Sequence, residues 1–186
     1  MERIMTNTLD ANDSLLLIID VQEKLVNMLD KSVVVERTAK LAKAAQILGI
    51  PTIATQQYSK GLGQTVDSVK ENFAQDTYIA EKTSFSALKE EGFTDKLKSY
   101  GKKQIVICGI ETHICVHQTA ADLLEQGYDV YVVKDACASR RKYEFKQGIE
   151  RMQGNGAKIS CLEIVLFEWL KGAKSPCFKD VQALIK

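Results

Sequence analysis

Three residues whose types can do acyl chemistry together stand far apart in this chain: Asp20, Lys82 and Cys115. Cys115 follows the apolar run Gln104-Ile105-Val106-Ile107-Cys108 and Gly109, just inside a helix that Thr112 is expected to cap. Unpaired backbone N–H groups and the positive end of a helix dipole favour a thiolate there. The same groups can hold an oxyanion when sulfur attacks a carbonyl carbon. Asp20 directly follows Leu15-Leu16-Leu17-Ile18-Ile19 and is placed to carry a proton. Lys82 follows Tyr78-Ile79-Ala80 and would supply a cation. Singly none is diagnostic, because a packing cysteine, a hydrated strand-end acid and a surface lysine would look the same. Together they make a nucleophile, a base and a cation at three strand ends.

Other candidates carry less. His113 and His117 are four apart on one helix, a spacing able to grip a metal, but the glutamate of the zinc-protease motif is missing and the chain has no third histidine. The expectation is no metal, with His113 at a pocket mouth. Cys108 and Cys161 read as structural, Cys137 as a loop residue able to approach the site, and Cys177 as exposed. Gly61-Leu62-Gly63 is not a phosphate loop, since no Gly-Lys-Ser/Thr follows it.

The elements that must position these residues follow from the hydrophobic pattern. Ser14–Ile19 is short and continuously apolar, which suits a strand buried on both faces. Ser32 reads as an N-cap, and Val34, Leu41, Ala45 and Leu48 recur at helical spacing until Gly49. Pro51 opens a strand over Thr52–Thr55. Residues 56–77 read as a long polar loop over a site. After the short run at 78–80, a helix is expected from Thr94 to Gly101. The strand 104–108 ends at Gly109, and the helix after it carries Val116, Ala120, Leu123 and Leu124 to Gly127. A strand over Val130–Val133 ends near Asp135. A helix with Phe145, Ile149 and Met152 stops at Gly154-Asn155-Gly156. Ile159–Cys161 is a weak last strand and Leu162–Leu170 a final helix.

Strand and helix alternate about six times without a repeat or linker. The pattern predicts one three-layer α/β domain over residues 1–186, with a mostly parallel six-stranded sheet, helices on both faces and a Rossmann-related architecture. Ligands of such sheets bind outside the carboxyl ends of the strands, near a switch in strand order. That singles out Asp20, Gln56 to Tyr58, Lys82, Glu111 to Cys115, and Asp135.

Composition removes other classes. With 186 residues, 45% hydrophobic, and a formal charge of +1 from 25 basic and 24 acidic side chains, the chain folds and lacks the basic face that nucleic acid requires. No apolar stretch approaches the ~20 residues of a membrane span, and no secretory leader is expected from the polar start. Five irregularly spaced cysteines suggest a reduced, cytoplasmic protein rather than a disulfide framework.

Four stretches then carry a resemblance: Leu17-Ile18-Ile19-Asp20-Val21-Gln22, Lys82 with Ser84-Phe85-Ser86, Cys108 through Val116, and Gly127 through Ala136. The sequence resembles the isochorismatase-like cysteine hydrolases over most of its length. Through Gln57-Tyr58, Gly61-Leu62-Gly63 and Ser139-Arg140 it is most similar to the small isochorismatase domain-containing proteins, whose substrates are generally unassigned. The resemblance implies Cys115 as nucleophile, Asp20 as general base and then acid, and Lys82 as the cation that lowers the thiol's pKa. It implies a non-proline cis peptide, Ile110–Glu111, that turns the Glu111 N–H inward to form an oxyanion hole with that of Cys115. Gln57, Tyr58 and Phe85 would border a small-molecule substrate, no cofactor is called for, and a homo-oligomer is expected.

Two departures narrow this. Gln56-Gln57-Tyr58 stands where nicotinamidases of this fold carry an Asp-x-His metal motif. Cys115 is present, whereas isochorismate-cleaving members lack the cysteine. The expectation is therefore a metal-independent hydrolase of a small amide, carbamoyl or related C–N substrate, working through a thioester. The competing expectation is a redox-sensitive or interaction protein whose reactive Cys115 does not turn over. Asp20 separates them, since a sensor needs no residue that hands a proton to a leaving group.

Overall fold

In a computed structural model of the chain, which describes residues 8–29 and 33–186, the first apolar run forms strand β1 (Ser14–Ile19) with all six residues buried. A strand covered on both faces can be apolar throughout, and each fully buried Leu or Ile contributes about 1.5–3 kcal/mol. The remaining strands are β2 (Thr52–Gln57), β3 (Tyr78–Lys82), β4 (Gln104–Ile110), β5 (Asp129–Ala138) and β6 (Lys158–Ser160). They pair in the order β3-β2-β1-β4-β5-β6, and every pairing is parallel. The sheet is therefore wholly rather than mostly parallel. Helix Val34–Leu48 packs with Leu162–Leu170, and His117–Glu125 packs with Lys142–Gly154, so helices cover both faces of a three-layer α/β fold.

The strand order reverses direction between β1 and β4, the switch point outside whose carboxyl ends such sheets bind their ligands. Asp20 leaves β1 there and Glu111 leaves β4 there. Gly109 decides how closely the two ends approach. It has φ +127°, and a Cβ at this position would lie 2.0 Å from the Ile19 carbonyl oxygen. β4 consequently runs on through Gly109 to Ile110 instead of stopping at it.

Other boundaries also move for physical reasons. β5 extends to Ala138 because its register against β4 slips between Ile107 and Gly109, a bulge that absorbs the extra residues. Asp135 and Cys137 thus lie within a strand, not at a strand end or in a loop. Asp135 accepts a hydrogen bond from the Leu162 N–H at 2.9 Å and faces Arg37 at 3.7 Å, so it serves a helix start away from the site. The segment expected as a polar loop holds the end of β2 and two short helices, Ser59–Leu62 and Asp67–Lys70. The helix expected from Thr94 spans Phe93–Ser99. A further helix, Phe178–Ala183, follows the one expected to be last. Just before it Cys177 is half-buried rather than exposed, its sulfur 3.8 Å from the Ile47 carbonyl oxygen. Ser32, read as an N-cap, lies outside the described residues; the helix begins at Val34 after Val33.

Candidate active site

Asp20 takes a positive φ of 50° at the end of β1 and is fully buried. Its Oδ1 accepts a hydrogen bond of 2.6 Å from the Thr55 hydroxyl, and its Oδ2 lies 2.7 Å from Lys82 Nζ. The latter contact is an ion pair rather than an aligned hydrogen bond, so Oδ2 keeps acceptor capacity. Thr55 stands opposite Ile19 in the β1–β2 register, which is why its hydroxyl reaches the next residue of β1. Sequence reasoning missed Thr55; correct strand pairing would have found it.

Lys82 is 1% exposed at the end of β3, not a solvated lysine. A buried ammonium persists only when paired and hydrogen-bonded. Beyond Asp20, its Nζ donates to Gln57 Oε1 at 2.5 Å and to the Ser84 and Phe85 carbonyls at 3.2 Å each. The loop supplying those carbonyls is tied to helix His117–Glu125. Ser86 donates to Asp122 Oδ2 at 2.7 Å, and the Ala87 N–H donates to Thr119 Oγ1 at 3.1 Å.

Cys115 is 7% exposed, and its thiol interacts with both the Asp20 carboxylate and the Lys82 ammonium. The element that carries it differs from the capped helix expected. Thr112–Val116 forms a π-helical turn before the α-helix His117–Glu125, and Thr112 provides no side-chain cap. The Glu111 carbonyl accepts from the Ile114 N–H at 3.1 Å and the Val116 N–H at 3.2 Å, the second reaching back five residues. Single π turns recur at functional sites. This one is pressed close by helix Lys142–Gly154, because at Gly148 a Cβ would sit 2.9 Å from the His113 Cα.

Electrostatically, the site holds one cation and two potential anions away from water. Burial pushes the Asp20 carboxyl up, against the pull of Lys82 and Thr55. Burial and then the Asp20 carboxylate push the Cys115 thiol up to about 12, against the pull of Lys82. Lys82 pulls the thiol down, as expected of it, but in the resting site burial and the Asp20 carboxylate outweigh that pull, and a second anion is disfavoured. Burial disfavours the anion on both acids, and the Asp20 carboxylate opposes a second one on the sulfur.

The peptide bond Ile110–Glu111 is cis. The Glu111 side chain, in a residue 6% exposed, accepts at Oε1 from the Arg140 N–H at 3.0 Å and Arg140 Nε at 2.9 Å. His113 Nδ1 lies 2.9 Å from Ser139 Oγ and lines a cleft of about 230 Å³ with Arg140, Arg141 and Glu144. His117 has its Nε2 buried, and burial with the nearby Arg151 holds its pKa down. Among the described residues no group of His, Cys, Asp and Glu side chains converges as metal ligands. Tyr58 and Phe85 are exposed, at 56% and 53%, whereas the half-buried Gln57 has its amide engaged at both ends, by Thr83 and Lys82.

A parallel α/β fold with an acid, a lysine and a cysteine gathered at its switch point belongs to a recognisable class. Residues 14–164 match the model of the isochorismatase domain. Isochorismatase domain-containing protein 2 of Xenopus laevis is 41% identical over 95% of this chain and 85% of that protein. A solved structure described as the MAR1 ribonuclease of Caenorhabditis elegans superposes with TM-score 0.90 and 38% identity, covering 96% and 92% of the two chains. The Escherichia coli YcaC structure, an octameric hydrolase of unknown specificity, gives TM-score 0.87 and 26% identity over 98% and 97%. The chain belongs to the isochorismatase family of hydrolases. Among the described residues no helix is long and apolar enough to cross a membrane.

Proposed function

We propose that this protein hydrolyses a small amide, carbamoyl or related C–N substrate through a thioester on Cys115, with no metal in the step. The observation that carries the reading is the meeting of carboxylate, ammonium and thiol in one buried cluster. Asp20 takes the thiol proton as sulfur attacks the carbonyl carbon, and Lys82 balances the thiolate. The tetrahedral oxyanion rests on the Glu111 and Cys115 N–H groups, and loss of one such donor costs roughly a hundredfold or more in rate. Asp20 returns the proton to the departing amine, then draws one from the water that cleaves the thioester. Tyr58 and Phe85 border the substrate. The protein acts as a homo-oligomer, as the octameric E. coli relative does, in the reducing cytoplasm that its five free cysteines suit.

A nucleic-acid substrate fits less well. The two arginines that follow β5 are answered by acids, Arg140 by Glu111 at 2.9 Å and Arg141 by Glu144 at 3.8 Å. A reactive thiol without turnover remains the competing reading, and one experiment separates the two. The protein is incubated with a library of amides and carbamoyl compounds and followed by intact-mass spectrometry. We expect an acyl adduct that forms, decays with product release, and is absent from Cys115→Ala. Turnover that survives Cys115→Ala, or an adduct that forms and never decays, overturns the hydrolase.

A further inference from the structure

Two glutamines join the first two strand ends to the lysine, and the reaction as written uses neither. Gln22 is fully buried just after Asp20. Its Nε2 donates to the Gln57 carbonyl at 3.0 Å and the Gly63 carbonyl at 2.7 Å, and its Oε1 accepts from the Gln57 N–H at 2.7 Å. Gln22 thereby makes a side-chain copy of a strand pairing where β1 has already ended. Gln57 stands opposite Lys82 in the β2–β3 register. Its Nε2 donates to the Thr83 carbonyl at 2.7 Å, which settles the orientation of the amide and turns Oε1 onto Lys82 Nζ. The next residue closes the arrangement, with the Tyr58 N–H donating to the Lys82 carbonyl at 2.9 Å.

This network has a specific consequence for charge. An ammonium has three hydrogens, and here Asp20, Gln57, Ser84 and Phe85 all present oxygens to it. Only Asp20 is charged. The neutral oxygens satisfy the ammonium without cancelling its charge, so its field stays available to the carboxylate and, once the proton moves, to the sulfur. An acid in place of Gln57 would answer the charge; a residue without an acceptor would let the ammonium swing. A glutamine with its other end anchored does neither.

We propose that Gln57, held by Gln22, is a positioning residue that fixes the Lys82 ammonium against Asp20 and so sets how readily Cys115 becomes a thiolate. The proposal rests on the hydrolase reading for the use of that thiolate, and it takes Gln57 off the substrate surface. Removing a hydrogen bond to a charged group in such a site corresponds to about a tenfold change in the populations it governs.

Alkylation of Cys115 by iodoacetamide tests it without a known substrate. The rate is read between pH 6 and 9 from the mass of the Cys115 peptide, in protein shown folded by circular dichroism. In the unaltered protein the rate should be flat with pH, because the thiolate arises by proton transfer to Asp20. Gln57→Met should slow labelling about tenfold at pH 7 and make it rise with pH. Gln57→Glu, which keeps the shape of the side chain, should slow it at least as much, because its carboxylate competes for the ammonium. Gln22→Met should move the profile in the same direction by less. If Gln57→Met does not fold, Gln57→Glu decides alone. Variants that melt earlier but keep the original profile would leave Gln57 a merely structural residue and overturn the proposal. Failure of the hydrolase reading looks different: the unaltered protein would then label with a rise centred near 8.5, as an ordinary thiol does.

Discussion

Cys108 and Cys115 sit on consecutive elements, and both thiols are pushed up to about 12 with burial as the first cause. Their surroundings are otherwise opposite. Cys108 is sealed in β4 beneath helix Val34–Leu48, with the Thr38 hydroxyl 3.9 Å from its sulfur as a polar neighbour. Cys115 meets a carboxylate that can take its proton and an ammonium that can balance the charge left behind. A raised pKa therefore does not separate an inert thiol from a usable one. What separates them is whether the proton has somewhere to go at no change in net charge. Desolvation blocks the creation of a lone anion but not the exchange of one anion for another.

The sharpest way to break that contrast is Asp20→Asn. Without the carboxylate the Lys82 charge is left to the sulfur, so Cys115 should alkylate about tenfold faster at pH 7, while Cys108 labelling does not change. Hydrolysis should fall by roughly a hundredfold or more, because no group returns a proton to the leaving amine. Labelling and turnover moving in opposite directions is the signature; if both fall together, the Lys82 charge by itself does not hold a thiolate on Cys115.

Gly109 lies between the two cysteines and sets the approach of β4 to β1. Gly109→Ala should lower stability by about 3 kcal/mol or more, read from the urea midpoint, because the added methyl meets the Ile19 backbone. Gly154→Ala, where a Cβ meets nothing within 4 Å, should be neutral or slightly stabilising. Equal effects at the two positions would mean that the strand ends can part.

The smallest effect concerns Cys108 alone. Its folded pKa lies above its unfolded value, so the stability it contributes is complete below about 9 and is lost as pH rises toward about 12. Between pH 8 and 10.5 the unaltered protein should therefore lose on the order of 2 kcal/mol more than Cys108→Ala does. Parallel pH curves for the two proteins would show that the Cys108 sulfur is not confined as its burial indicates.

Much of this organisation was legible because it follows from local pattern. A run such as Leu15–Ile19 can only be a strand covered on both sides, and an acid at its end stands out. Cys115 and Lys82 stood out in the same way, as reactive types after apolar runs. The π turn over Thr112–Val116 was not legible, since the five-residue reach of Val116 N–H to the Glu111 carbonyl has no marker in residue type. Gln57 entered as a substrate contact through the family resemblance, and only the tertiary structure shows that both ends of its amide are engaged by Lys82 and Thr83. The reading of Gly109 as a terminator failed because a glycine that ends a strand and one that admits a neighbouring backbone are spelled alike.

By itself, then, the order of residues determined the alternation of strands and helices, the burial of β1 and the three reactive side chains at strand ends, because periodicity and side-chain type act over a few neighbours. The tertiary structure alone decided that these side chains converge, that burial and the Asp20 carboxylate hold the thiol's pKa up, and that two glutamines stand behind the lysine. Those outcomes depend on which strands lie side by side and how far water is excluded between them, quantities that exist only once distant segments have packed.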